Sequence, residues 1–218
     1  MRELPDPTRH VKRIGDLGVL FVMATEQEYG DHLKSRIRPL MTGVGPVEAA
    51  ADMAVALTTL HHRNALPDLV FTLGSAGSRK LDNAAVYQMK SVAYRDIDAS
   101  LFGFEKGVTP FLGEPAVVEI PHQIPGIPTA TLSTGGGVIS GDRYETVGAD
   151  MVDMESYAVL RAARRFGIPT IGLRGISDGK ADLTGFHDWT EYLHIIDAKL
   201  ADAIDAFAGH VEAGRFRL

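Results

Sequence analysis

The stretch Met151-Val-Asp-Met-Glu-Ser-Tyr-Ala-Val-Leu160 decides how the chain is interpreted, because it joins a short apolar run to a helix through two acids. We predict that the helix continues to about residue 166, since apolar residues recur at helical spacing. They are Ala158, Val159, Ala162, Ala163 and Phe166. We interpret the arginines on the other side, Arg161, Arg164 and Arg165, as a solvated face near the C-terminus, where the helix dipole favours cations. Gly167 and Pro169 then end the helix.

Glu155 stands at a junction between strand and helix, a position where α/β proteins often build sites. A second interpretation is that Asp153 and Glu155 are acids at a helix N-terminus that stabilise the helix dipole. This stretch alone favours neither interpretation, so the rest of the chain must distinguish them.

Apolar runs on either side of this stretch predict strands that are covered on both faces. The clear runs are 18–23, 68–73 and 170–176, and weaker patterns are 37–42, 85–93, 116–120 and 128–133. Pro39 would confine the first of the weaker strands to an edge or a bulge. Helices are predicted from 46 to about 62 and from 189 to about 211. This order predicts one α/β domain with a largely parallel or mixed sheet over 18–218, after an N-terminal extension of residues 1–17.

The composition argues against several classes of function. Of the 218 residues, 45% are hydrophobic and 23% are charged, and the net charge of −6 argues against a nucleic-acid or anionic-membrane surface. The absence of cysteine excludes disulfides, a thiolate nucleophile and cysteine-bound metals. The chain contains no apolar run long enough to span a membrane and no signal-peptide pattern, so we expect a cytoplasmic protein.

Four predicted strands end in small or acidic residues, at Ala24–Glu28, Gly74–Gly77, Asp153–Glu155 and Ser177–Asp178. Strand ends of one sheet meet at one edge, so we expect these segments to form one pocket. Glu28, Glu155 and Asp178 would then line it, which predicts chemistry carried out by carboxylates.

Other motifs carry weaker signals. Gly43-Val-Gly45 resembles a truncated dinucleotide fingerprint but follows a doubtful strand, and Gly135-Gly-Gly137 is more typical of a tight turn than of a phosphate loop. The eight histidines are scattered without metal-ligand spacing. We therefore expect neither a metal nor an organic cofactor.

Seven short stretches carry a resemblance through their order along the chain. They are Met23-Ala-Thr-Glu-Gln-Glu28, Thr42-Gly-Val-Gly-Pro-Val-Glu-Ala-Ala50, Pro67-Asp-Leu-Val-Phe-Thr-Leu-Gly-Ser-Ala-Gly77, Asp98-Ala-Ser-Leu-Phe-Gly-Phe104, Ser140-Gly-Asp142, Val152-Asp-Met-Glu155 and Arg174-Gly-Ile-Ser-Asp178. Together they resemble the nucleoside phosphorylase and nucleosidase superfamily, most closely its 5′-methylthioadenosine/S-adenosylhomocysteine nucleosidases, over roughly residues 18–208. The resemblance implies a single-domain, three-layer α/β/α fold with a central mixed sheet.

The resemblance also implies roles for particular residues. Glu28 matches the general base that activates water, Asp178 the general acid that protonates the purine, and Glu155 the glutamate that binds the ribose hydroxyls. The other implied substrate-binding residues are Ser75, Ala76, Phe102, Tyr144, Glu145, Met154, Ser177 and Trp189. Phe102 would come from the neighbouring subunit of a homodimer. The implied partner is a purine nucleoside, within methionine salvage.

Hydrolysis is favoured over phosphorolysis because Thr72 stands where the phosphorylases carry a phosphate-binding arginine, and the loop 23–29 contains no arginine. Two departures from the family pattern affect the expected substrate. Only 14 residues separate Glu28 from Gly43, and Thr25 replaces a common methionine. The alternatives are a phosphorylase, a hydrolase of futalosine, AMP or inosine, and a nucleoside-binding protein without catalysis.

Overall fold

Nine strands form one mixed sheet in the computed structural model, which describes residues 6–218. In chain order they are β1 (Val11–Ile14), β2 (Leu17–Met23), β3 (Leu40–Met41), β4 (Leu69–Gly77), β5 (Val86–Tyr94), β6 (Val117–Glu119), β7 (Thr129–Thr134), β8 (Met151–Asp153) and β9 (Thr170–Asp178). The helices are α1 (Asp31–Lys34), α2 (Pro46–His62), α3 (Ser156–Arg164), α4 (Phe186–Thr190) and α5 (Leu193–Glu212). No helix within this range is long and apolar enough to cross a membrane.

The strand pairings bring the ends of distant strands together. β2, β4 and β9 are parallel neighbours, β9 is antiparallel to β5, and β5 and β8 both run parallel to β7. The pair Gly77 and Val152 then joins β8 back to β4, so that β4, β9, β5, β7 and β8 close into a ring. As a result, the last residues of β4, β8 and β9 are neighbours.

Helices cover both faces of the sheet. Along β2, Val19, Phe21 and Met23 pack on one side with α5, whereas Leu20 and Val22 pack on the other side with α2 and α3. All five side chains are buried, because a central strand presents alternate residues to opposite faces. The prediction of a three-layer α/β/α fold with a central mixed sheet is therefore confirmed.

Several local predictions need correction. Residues 6–17, assigned to the N-terminal extension, include β1, which pairs with β2, while residues 1–5 lie outside the described range. Of 37–42, only Leu40 and Met41 form a strand. The predicted C-terminal helix is divided into α4 and α5, which differ in what they cover. α4 carries Trp189 to the candidate site, whereas α5 packs its buried face against the sheet.

The arginines of α3 are not a uniformly solvated face. Arg161 is only partly exposed and donates to the Glu114 carboxylate at 2.6 Å, and Arg164 pairs with the other oxygen of the same carboxylate at 3.2 Å. Arg165 is exposed, as predicted, and forms no ion pair with a described residue.

Candidate functional site

A cavity of about 600 Å³ lies where β2, β4, β8 and β9 end. All four predicted strand-end segments contribute to it. The predicted site residues that line it are Glu28, Ser75, Ala76, Met154, Glu155, Ser177, Asp178 and Trp189. The structure therefore brings together three carboxylates that are far apart in the sequence.

Glu28 belongs to a short 3-10 turn, Glu26–Glu28, that follows β2, and it is only 9% exposed. Its Oε1 accepts hydrogen bonds from the Ser75 backbone N–H at 2.7 Å and from Ser75 Oγ at 2.6 Å. Gly74 leaves room for this carboxylate, since a Cβ there would lie 3.0 Å from Oε2. Burial raises the pKa of Glu28 above its ordinary value, and the two Ser75 bonds oppose that rise.

Glu155 is the residue before α3, and its carboxylate faces the cavity. Its Oε1 accepts a hydrogen bond from the backbone N–H of Gly45 at 2.8 Å, while Oε2 has no hydrogen bond to any described residue. Burial, followed by the charge of Asp153, raises the pKa of Glu155 to about 7. The unpaired oxygen is available to a hydroxyl group of a ligand.

The Asp153 carboxylate, in contrast, is held by donors of the protein itself. Its carboxylate accepts from Arg174 Nη2 at 3.0 Å, from Thr134 Oγ1 at 2.6 Å and from the Ser156 N–H at 3.1 Å. Arg174 is 2% exposed, so the ion pair is buried and fully hydrogen-bonded. Of the two acids, Asp153 therefore caps the helix N-terminus, and Glu155 does not.

Asp178 ends β9 and lines the cavity next to β4. Ser177 Oγ donates a hydrogen bond to Asp178 Oδ1 at 2.6 Å. Burial raises the pKa of Asp178, and the serine bond only partly counteracts it. A carboxyl group with a raised pKa retains its proton at a higher pH and can act as a proton donor.

Three of the predicted residues do not line the cavity. Phe102 is 83% exposed and Glu145 is exposed. Tyr144 lies close by, since a Cβ at Gly77 would overlap its hydroxyl and also lie 2.9 Å from Asp178 Oδ2. The Tyr144 hydroxyl is buried without a hydrogen-bond partner among the described residues, and Arg79 stacks over its ring at 5.6 Å.

The sequence interpretation missed Arg95, which lines the cavity. Its guanidinium group donates to backbone carbonyls of the 133–137 segment, including Gly137 O at 2.7 Å, and to Asp153 O at 3.0 Å. Arg95 directly follows β5. Its position after a strand end could have identified it as a candidate site residue from the sequence. Its bonds fix the carbonyls of Gly135 and Gly137, in a segment that bends without a hydrogen-bonded turn among the described residues.

Comparisons with known proteins identify the family of this chain. Residues 24–208 match the family model described as the phosphorylase superfamily. A 5′-methylthioadenosine/S-adenosylhomocysteine nucleosidase from Haemophilus influenzae (strain PittEE) is 30% identical over 158 residues, which cover 64% of this chain and 67% of the relative.

Solved structures share the fold. One is a nucleosidase of the same name from Colwellia psychrerythraea 34H in complex with adenine, with a TM-score of 0.70 and 22% identity over 87% of this chain and 93% of that one. Another is a futalosine hydrolase mutant from Helicobacter pylori strain 26695, with a TM-score of 0.72 and 16% identity over 87% of this chain and 97% of that one. The family match confirms the resemblance seen in the sequence: the chain is an enzyme that belongs to the phosphorylase superfamily and is similar to its 5′-methylthioadenosine/S-adenosylhomocysteine nucleosidases.

Proposed function

We propose that this enzyme hydrolyses the N-glycosidic bond of adenine nucleosides with a 5′-thio substituent, of the methylthioadenosine and adenosylhomocysteine type. The observation that carries the proposal is the convergence of Glu28, Glu155 and Asp178 on one cavity, each in a different hydrogen-bonding environment. The names of the relatives supply the substrate class. A role in methionine salvage and a cytoplasmic location stay predictions.

Glu155 and Met154 bind the ribose in this proposal. Oε1 of Glu155 is fixed by the Gly45 N–H, so Oε2 accepts from a ribose hydroxyl. Positive charge develops on the ribosyl ring as the bond to the base breaks, and nearby carboxylates stabilise this charge.

Glu28 is the general base. It takes a proton from the water whose oxygen attacks C1′ of the ribose. Its two bonds from Ser75 fix one carboxylate oxygen, which leaves Oε2 for the water. Because burial raises its pKa, the Glu28 carboxylate is a stronger base than an exposed glutamate.

Asp178 is the general acid. It donates its proton to N7 of the purine while the bond between C1′ and N9 breaks, so that the base leaves as a neutral molecule. The products are adenine and a 5-substituted ribose. The proton that Glu28 takes from water replaces the proton that Asp178 gives to the purine, so the site as a whole neither gains nor loses a proton. The burial that raises the pKa of Asp178 supports the protonated form that this step needs.

Water is preferred over phosphate as nucleophile because, among residues 6–218, no lysine or arginine at the cavity is free to bind an anion. Arg95 is the only lysine or arginine of residues 6–218 that lines it, and its guanidinium group donates to backbone carbonyls. Thr72 is buried and accepts a hydrogen bond from Arg174 at 3.1 Å. A phosphate ion needs charge-assisted donors that these residues already use elsewhere.

We further propose a homodimer in which Phe102 covers the 5′ substituent in the neighbouring site. Large apolar side chains are exposed both beside the cavity and on the loop that carries Phe102, which supports this assembly. They are Val44, Val138 and Phe186 beside the cavity, and Leu101 and Phe102 on the loop. A Phe102→Asp variant should shift the molar mass measured by light scattering towards that of a monomer, whereas an unchanged mass would argue against this interface.

A substrate panel tests the reaction. Methylthioadenosine, adenosylhomocysteine, 5′-deoxyadenosine, adenosine, inosine, AMP and futalosine are incubated with the enzyme, with and without phosphate, and the free base is quantified by chromatography. We expect adenine release from the 5′-thio nucleosides in the absence of phosphate. Strict dependence on phosphate, with ribose 1-phosphate as product, would refute hydrolysis. Preferential cleavage of futalosine, inosine or AMP would refute the substrate class.

Paired variants separate catalysis from binding. Glu28→Gln and Asp178→Asn should each reduce kcat by about 10²- to 10⁴-fold, the usual contribution of a general acid or base. Glu26→Gln is the matched control, because Glu26 belongs to the same turn as Glu28 but is exposed. Equal and negligible activity of wild type and variants, with nucleoside binding retained, would indicate a binding protein instead.

A further inference from the structure

Trp189 is the only tryptophan of the chain, and its side chain reaches the candidate base through one intervening residue. The indole Nε1 lies 2.9 Å from Ser75 Oγ, and Ser75 Oγ lies 2.6 Å from Glu28 Oε1. Trp189 belongs to α4, which follows β9 in the chain. Glu28 lies in the turn after β2, and Ser75 lies in the last part of β4. The three residues thus form a hydrogen-bonded chain across three separate elements.

The direction of both hydrogen bonds is determined by chemistry. An indole N–H can only donate, so Ser75 Oγ accepts from Trp189. A serine hydroxyl has a single hydrogen, and with the indole on one side it points to the remaining acceptor, Glu28 Oε1. Without the indole, the hydroxyl would be free to rotate away from the carboxylate.

We propose that Trp189 is a positioning residue that holds Glu28 in its reactive orientation through the Ser75 hydroxyl. The role of Glu28 as base rests on the proposed function, whereas the hydrogen-bonded chain does not. A hydroxyl that accepts one hydrogen bond donates a stronger one, so the indole strengthens the bond that stabilises the charged carboxylate. Trp189 also lies at the cavity wall, where its ring contributes apolar surface.

Other groups around Glu28 act on the same carboxylate and must be kept constant. Burial and the negative charge of Asp153 raise its pKa, the positive charge of Arg174 lowers it, and Glu155 shares the cavity. Among the described residues, Ser75 is the only one that donates hydrogen bonds to Glu28. Removing the indole N–H therefore changes the one side-chain hydrogen bond that opposes protonation of the base.

The α4 segment is fixed independently of the substrate. Asp188 Oδ2 accepts from the backbone N–H groups of Thr184 and Gly185, and the ring of Phe186 packs edge-on against the indole with centroids 5.1 Å apart. The Asp188 bonds hold the start of α4 in place before a ligand binds. Phe186→Leu provides a packing control, since it alters the ring contact and leaves the indole N–H in place.

The first test needs no substrate, because the single tryptophan reports on its own hydrogen bond. Its fluorescence is titrated with pH in the wild type, Ser75→Ala, Glu28→Gln and Glu155→Gln. We expect a step in the wild type that is lost in Glu28→Gln and kept in Glu155→Gln. In Ser75→Ala the step should be lost or much smaller, because the indole then has no hydrogen-bonded connection to Glu28. A flat wild-type titration, a step that persists in Glu28→Gln, or a step of unchanged size in Ser75→Ala would each overturn the proposal.

The second test uses the pH dependence of kcat/KM. Trp189→Phe should move the acidic limb upward by about half a unit to one unit, the equivalent of one ordinary hydrogen bond. Phe186→Leu should leave that limb unchanged. Trp189→Phe should add no further shift in a Ser75→Ala background, since both changes remove the same hydrogen-bonded chain. Additive shifts would refute the connection through Ser75. If no nucleoside is cleaved at all, the proposed function fails, while the fluorescence titration still decides whether the indole senses Glu28.

Discussion

Asp197 of α5 offers the sharpest test of how the shortened segment after Glu28 is held. The side chain is only 4% exposed, and it accepts hydrogen bonds from three backbone N–H groups that begin α1. These are Gly30 at 3.0 Å, His32 at 2.9 Å and Leu33 at 3.2 Å. Gly30 has to be glycine here, because a Cβ would lie 2.5 Å from the Asp197 carboxyl group. The Asp197 carboxylate thus fastens the start of α1, within the segment between Glu28 and Gly43, to α5.

The expected destabilisation follows from these contacts. A hydrogen bond to a charged group contributes about 1.5–3 kcal/mol, and a buried donor without a partner costs about 1–3 kcal/mol. The Leu33 N–H is buried and has no access to water, whereas the other two bonds are partly buried and water can replace part of their contribution. We therefore expect Asp197→Ala to lower the free energy of unfolding by about 3–4 kcal/mol.

Urea denaturation measures this change, and Asp205→Ala is the matched control. Asp205 lies on the same helix and also binds the 30–36 segment, through an exposed ion pair with Arg36 at 2.8 Å. Exposed ion pairs are screened by water and salt, so the control should change stability much less. The reasoning is refuted if Asp197→Ala is no more destabilising than Asp205→Ala.

Two further predictions concern the site. Burial raises the pKa of Glu155 from its ordinary value of 4.5 to about 7, so between these pH values the folded protein keeps a proton that the unfolded chain releases. Glu155 should therefore contribute a fall in stability of about 2–3 kcal/mol as pH rises through this window, beside the contributions of Glu28 and Asp178, whose pKa values are also raised. Glu155→Gln should reduce the pH dependence measured by denaturation at pH 5 and pH 8, and equal pH dependence of the two proteins would contradict this prediction. Gly77→Ala should reduce kcat/KM at least tenfold, because the added Cβ overlaps the Tyr144 hydroxyl and approaches Asp178. Gly209→Ala, where a Cβ meets no atom within 4 Å, should leave activity unchanged, and equal effects of the two substitutions would count against the steric explanation.

The sequence alone predicts the layered fold because its central strands are apolar on both faces. β2 was predicted at 18–23 and is observed at Leu17–Met23, and the helix predicted from 46 to about 62 is observed at Pro46–His62. Burial on two faces requires cover on both sides of a sheet, and the family resemblance implies that helices provide it as two outer layers. The strand and the helix are predictable because each follows from a pattern among residues that are close together in the sequence.

Periodicity could not show how far β4 and β9 extend. Both were predicted to end in front of their small or acidic residues, at 73 and 176, yet they continue to Gly77 and Asp178. Gly-Ser-Ala-Gly has little intrinsic strand preference, and it becomes a strand because it pairs in parallel with β9. Closure of the ring through Gly77 and Val152 likewise depends on contacts between distant parts of the chain.

The sequence determined that Glu28, Glu155 and Asp178 stand at the ends of strands, and the shared edge of one sheet brings such ends together. Only the tertiary structure decided which donors each acid meets. Asp153 is held by Arg174, 21 residues away, whereas Glu155 is held by Gly45, 110 residues away. Two acids separated by one residue thus have different environments, because burial makes each carboxylate depend on the donors that folding places beside it.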